Sequence, residues 1–125
     1  ATLTGGSIIA LGDVASALMG NDDALVEKML QAAKKSGEKM WRLPLYEEFK
    51  EYTKSKIADI KNCSDAGGKA STSSGGIFLQ LFVEETPWMH IDIASTSYLM
   101  RNLAWMGEGA TGVPVRTLVE YLTAK

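Results

Sequence analysis

The stretch from Asn21 to Gly37 most narrows what this chain can become, because it carries every signal of one surface helix in the right order. Asn21 is a capping residue type. Asp22 and Asp23 put negative charge on a first turn, where the helix dipole favours it. Leu25, Val26, Met29, Leu30 and Ala33 recur at helical spacing and form one apolar stripe. Lys34 and Lys35 suit the last turn, and Gly37 offers a left-handed stop. A striped helix needs a second layer to cover it. The other segments decide what that layer is.

Ser7-Ile8-Ile9-Ala10-Leu11, bounded by Gly6 and Gly12, is a short apolar run that predicts a buried strand. Trp88 to Ala94 alternates as a strand does, with Met89, Ile91 and Ile93 on one face and Trp88, His90 and Asp92 on the other. Ile57 to Ile60 reads as a further short strand. Pro44 opens a second helix through Tyr52, with Leu45, Phe49 and Tyr52 on its inner face. Ser64 to Gly76 has the composition of a surface loop. Ile77 to Val83 follows at once as a buried helix whose first turn can reach back into the serines, so no domain boundary is placed there. Val115, Leu118, Val119 and Leu122 form the stripe of a last helix that starts near Gly112 and Pro114. Strands alternating with helices predict α/β layers. The visible strands make only a narrow sheet, and the helices carry more apolar face than it can cover. A partner segment is therefore expected.

At 125 residues the chain is one domain's worth or part of a larger one, able to bury roughly two-thirds of its unfolded surface. A formal charge of -2 gives no electrostatic reason to expect nucleic acid or an anionic membrane as partner. No apolar run approaches the roughly 20 residues that span a bilayer. The single cysteine excludes an intramolecular disulfide and fits a reducing compartment. One histidine and one cysteine cannot build a His/Cys zinc site, so any metal would need carboxylates or ligands from outside this chain. The start at Ala1 lacks both a signal-peptide pattern and an initiator Met, which reads as a processed or internal beginning.

Motif by motif, local chemistry is weak. His90 and Asp92 share a strand face and can orient one another or bind a metal, but a lone strand histidine more often has a satisfied hydrogen bond and nothing more. Cys63 has only Lys61 close by to stabilise a thiolate. Thr4-Gly5-Gly6-Ser7 matches no phosphate-binding loop. Gly107 to Gly112 is explained as well by a turn and helix start as by an anion site. Glu47, Glu48 and Glu51 read as a solvated helix face. No Gly-x-Ser-x-Gly elbow is present.

Taken in order, several segments together resemble the leucyl (cytosol) aminopeptidase family. They are Ala1-Thr2-Leu3-Thr4-Gly5, Ala10-Leu11-Gly12, Asn21-Asp22, Trp41-Arg42-Leu43-Pro44-Leu45, Ala58-Asp59-Ile60, Phe78-Leu79, Trp88 through Ala94, and Gly109-Ala110-Thr111-Gly112. The resemblance covers essentially the whole chain. It implies a three-layer α/β/α sandwich with a mixed sheet, of which residues 1–125 would be the C-terminal part of the catalytic domain. It also implies a cytoplasmic, hexameric enzyme that removes N-terminal residues from peptides with two divalent metals, zinc or manganese. The family's metal ligands and its catalytic Arg, in an Asn-Thr-Asp-Ala-Glu-Gly-Arg motif, precede the segment matched here, and that motif is absent. The resemblance thus assigns no catalytic residue and no metal to this chain alone.

Matching position by position, Thr2, Leu3, Thr4 and Gly5 would line the substrate cleft, through the Leu3 carbonyl and the Gly5 amide. Oriented backbone groups suit this role because they are fixed before the substrate arrives. Ala94 and Ser97 would wall the pocket for the first side chain, and Asn62 and Cys63 would border the leaving-group side. Two departures stand out. Ser95 replaces a usual Gly after Ala94, and Lys69 to Gly76 replaces an Ala-Gly-rich stretch that commonly ends Thr-Ala-Ala. The competing expectations are a catalytically inactive truncated paralogue acting as a structural or interaction subunit and, more remotely, a small α/β ligand-binding domain.

Overall fold

Ser16–Gly20 (β1) is buried along its whole length and forms the central strand on which two neighbouring strands and three helices pack. The computed structural model describes residues 5–63 and 68–124. In chain order α1 spans Gly6–Leu11, α2 Asp23–Ser36 and β2 Met40–Arg42. A 3-10 segment covers Glu47–Thr53, and α3 spans Ser71–Gln80. Met89–Asp92 (β3), Tyr98–Leu99 (β4), Gly109–Ala110 (β5) and Val115–Thr123 (α4) complete the series.

The main sheet has the order β2-β1-β3, parallel on one side and antiparallel on the other, and β4 with β5 form a separate hairpin. Leu18 pairs with Ile91, and both pack with Val26 and Met29 of α2. On the opposite face Ala17 pairs with Asp92 and Met19 with His90, where α1 and α3 lie. The result is a mixed sheet between two helical layers, with α4 stacked outside α2. The face assignment along β3 is as alternation predicts.

Gly76 explains the glycine-rich helix. A Cβ there would lie 2.9 Å from both Met19 Sδ and Leu45 Cδ2. Its absence lets α3 lie directly on the sheet, which offsets the roughly 1 kcal/mol of helix propensity it forfeits relative to Ala. The serines therefore belong to a buried helix, Thr72 through Ile77 all being buried, and the expected surface loop ends before Ser71.

Three sequence expectations are corrected. The Ser7–Leu11 run is helix α1, not a buried strand, and Ile8, Ile9 and Ala10 are exposed. The central position that such a strand would need is taken by β1, whose Ala, Leu and Met residues carry little strand propensity. Ile57 to Ile60 forms bends, and Ile57 is wholly exposed. The cap of α2 is Asp22, whose Oδ1 accepts from Leu25 N at 2.7 Å. Asn21 instead ties β1 to the segment ahead of β3, donating to Thr86 O and accepting from Trp88 N.

Helix α4 begins at a proline that offers no side-chain cap. The buried Glu38 carboxylate supplies one from outside, accepting from Thr117 N at 2.8 Å and Thr117 Oγ1 at 2.7 Å through Oε2. Burial pushes Glu38 up, but the Thr117 hydrogen bonds and the Arg116 guanidinium outweigh it and hold the carboxyl below its ordinary range. The apolar stripe of this helix faces away from the core. Val115, Leu118, Val119 and Leu122 are exposed, while Thr117 and Tyr121 face α2 and the core.

Candidate functional site

Thr2, Leu3 and Thr4, expected to line a cleft, lie outside the described residues. Gly5 follows them in the left-handed region at φ 63°, which an L side chain adopts only with strain. It caps α1, with Ile8 N donating to its carbonyl at 3.0 Å. An open cleft of about 290 Å³ begins beside it, bounded by Gly6, Ile9, Leu43, Ala70, Thr72 and Ser73.

Asp92, at the end of β3, joins this region to the turn that carries Ala94. Its Oδ1 accepts from Ser7 Oγ at 3.1 Å and from Ala94 N at 3.0 Å. One buried carboxylate oxygen thus holds the first turn of α1 and the backbone of Ala94 together. No spacing in the sequence reveals that role, because Ser7 and Asp92 are far apart along the chain and the sheet register brings them into reach.

The turn after Ala94 is pinned on its other side as well. Ser95 Oγ donates to Ala15 O at 2.7 Å, and Thr96 Oγ1 lies 2.6 Å from Ser16 Oγ. Ser95 has no positive φ, so this turn does not require the usual glycine, and the hydroxyl adds an anchor on the residue just ahead of β1. Ser97 is half-buried. Its amide donates to Ile93 O and its carbonyl accepts from Thr111 N. Ala94 itself is exposed. Asn62 and Cys63 are exposed beside Lys61, whose amide donates to Thr53 O. Among the described residues no hydrogen bond joins them to Gly5 or Ala94.

His90 and Asp92 share a face but do not act as a pair. Asp92 is engaged with Ser7 and Ala94. The His90 ring stacks on Trp88, with centroids 6.2 Å apart, and its buried Nε2 has no hydrogen-bond partner. Burial holds His90 below its ordinary pKa, against the opposing pull of Asp92. The satisfied hydrogen bond expected for a lone strand histidine is therefore not made at Nε2. In the Gly107 to Gly112 segment the amides of Glu108 and Thr111 donate to Asn102 Oδ1 and Ser97 O, and Gly109–Ala110 runs as strand β5 rather than as a plain turn. Glu47 and Glu51 form exposed pairs with Lys50 and Lys54. Among the described residues no three His, Cys, Asp or Glu side chains gather to hold a metal, so these residues do not fit a two-metal centre. No helix among them is long and apolar enough to cross a membrane.

Residues 1–119 match the model of the cytosol aminopeptidase family, catalytic domain. The chain is 51% identical over 118 residues to a probable cytosol aminopeptidase of Solibacter usitatus, covering 94% of this chain and 24% of that protein. It is 50% identical over 123 residues to another from Geotalea uraniireducens, covering 98% and 24%. Among solved structures, a mutant of tomato leucine aminopeptidase superposes with a TM-score of 0.83 at 37% identity, over 96% of this chain and 23% of that one. The bottromycin maturation enzyme BotP superposes at 0.90 with 40% identity, over 98% and 27%. The chain spans about a quarter of the length of the curated relatives it matches.

Proposed function

Because the chain belongs to the cytosol aminopeptidase family through its catalytic domain, we propose that it forms one wall of a peptide-binding cleft in a metallo-aminopeptidase. In this reading residues 1–125 are the C-terminal part of that catalytic domain. They hold the N-terminal portion of a peptide while two divalent metals, zinc or manganese, and a catalytic Arg are contributed by chain outside these residues. The complete protein is a cytoplasmic homo-oligomer, a hexamer if it follows its family, and it removes N-terminal residues from peptides.

The observation that supports the reading is the Asp92 junction, because one buried carboxylate oxygen ties the first turn of α1, next to Gly5, to the backbone of Ala94. Preset backbone donors and acceptors reorganise little when a peptide binds, which is what a positioning wall contributes. On this assignment Thr2, Leu3, Thr4 and Gly5 contact the peptide backbone, Ala94 and Ser97 face its first side chain, and Asn62 and Cys63 border the departing portion. The small Ala94 and Ser97 leave room for a large apolar side chain.

The test compares two lengths of protein. The protein at its full natural length hydrolyses leucine p-nitroanilide in a manner abolished by chelation and restored by Mn²⁺. The 125-residue chain by itself cleaves it no faster than buffer, with or without Mn²⁺. Metal-dependent turnover by the short chain would put the reacting groups inside it, and a full-length protein inert with every such amide would remove the peptidase reading. Replacing Ala94 by Phe in the full-length enzyme raises KM for leucine substrates about tenfold or more, because the ring occupies the first side-chain pocket.

A further inference from the structure

We propose that a second cavity, between the β4–β5 hairpin, the Gly37–Lys39 turn and the start of α4, binds a small free carboxylic acid with an aromatic or branched apolar body. The cavity is open on one side and measures about 270 Å³, at the small end of ligand sites. Leu99, Leu103, Trp105 and Met106 give it apolar walls. Leu103 and Met106 bridge to each other across the hairpin tip, which sets the wall between them.

Charge defines the other side. Lys39, Arg101 and Arg116 border the cavity against Asp13 and Glu38, so its lining carries one net positive charge. Both guanidinium groups are oriented in advance by their carboxylates but not consumed by them. Arg116 gives only Nε to Glu38 Oε1, at 3.1 Å, while its Cζ lies 5.9 Å from the centre of the Trp105 ring. Its two Nη groups make no hydrogen bond among the described residues. Arg101 binds Asp13 Oδ2 through Nε and Nη2, which leaves Nη1 open. Glu38 cannot turn away from Arg116, because its other oxygen is held by Thr117 N and Oγ1. A fixed guanidinium edge with free donors, beside an aromatic face and apolar walls, is complementary to a carboxylate on an apolar body. The cavity shares the Ile93–Ser97 turn with the substrate wall, since Thr96 lines it while Ala94 and Ser97 lie on either side of Thr96.

The experiment titrates the full-length protein with 3-phenylpropionate and reads the difference in tryptophan emission between it and its W105F variant. A saturable change is expected, with Kd in the millimolar range or tighter, and about tenfold weaker binding of the neutral 3-phenylpropanamide. Arg116→Gln weakens the acid about tenfold. Lys39→Gln, at an exposed position that does not touch the core, weakens it less and keeps the test open if the first variant folds poorly. A saturating leucine-derived peptidase inhibitor leaves the titration unchanged. Absence of saturation, equal affinity for acid and amide, indifference to both substitutions, or displacement by that inhibitor would each overturn the proposal. None of these outcomes bears on whether the protein is a peptidase.

Discussion

At the scale of single residues, Asp92 and His90 show how two neighbours on one strand face take opposite parts. Asp92 acts as a junction, so Asp92→Ala should cost about 1–3 kcal/mol by leaving buried donors without an acceptor. In urea unfolding the double variant of Asp92→Ala with Ser7→Ala should fall short of the sum of the singles, and strict additivity would dissolve the junction. His90 is held neutral by burial, its folded pKa lying below 6.5. Between that lowered value and 6.5 the unfolded chain binds more protons than the folded one, so stability rises with pH there and levels off above it. Thermal midpoints should therefore fall as pH drops below 6.5, and His90→Gln should flatten that slope. Sequence pattern placed both residues on the correct face of β3, but only the three-dimensional partners separate a held carboxylate from a stacked ring whose buried Nε2 makes no hydrogen bond.

At the scale of elements, α2 and β3 are where the sequence reads most accurately, because stripe, dipole charges and stop, or strict alternation, all agree. The two apolar runs near the start are where it misleads. Ser7-Ile8-Ile9-Ala10-Leu11 has the β-branched residues and becomes an exposed helix, whereas Ser16-Ala17-Leu18-Met19-Gly20 has helix formers and becomes the central strand. Burial on both faces overrides propensity in β1. Close packing makes a sharp prediction for α3. Gly76→Val should destabilise by about 1–3 kcal/mol despite its better helix propensity than Gly, since its Cβ meets Met19 and Leu45, and chemical denaturation measures it. For α4, Glu38→Ala should cost about 1–3 kcal/mol by baring the Thr117 amide, with thermal unfolding as the readout.

At the scale of the whole molecule, a three-stranded sheet cannot cover the apolar surface its helices carry. Ile9, Trp41, Leu122 and Met100 are each more than half exposed, and so are Val115 and Val119 of α4. The 125-residue chain studied alone should therefore self-associate as its concentration rises, and light scattering reads this directly. Replacing Leu118 and Leu122 by Glu should reduce that association without a large loss of helicity. A monomer at high concentration would count against the uncovered faces as association surfaces. The expectation of a narrow sheet with surplus apolar helix surface came from counting strands against stripes and holds in the structure. The outward turn of the α4 stripe did not follow from that count, because periodicity shows that a helix has an apolar face and not where the face points.

Local pattern alone determined the amphipathic helix from Asp23 to Ser36, the alternation of β3, the absence of a disulfide framework and, through the order of its blocks, the aminopeptidase family. Those are properties of residue type and near spacing, for which a one-dimensional string is sufficient. The tertiary structure decided which apolar run became the central strand, that Asp92 holds Ser7 to Ala94, that Glu38 caps α4, and that the hairpin tip and two oriented arginines border one cavity. Each of these joins residues distant in sequence, and their energy comes from burial and hydrogen bonds that exist only once the chain has closed on itself.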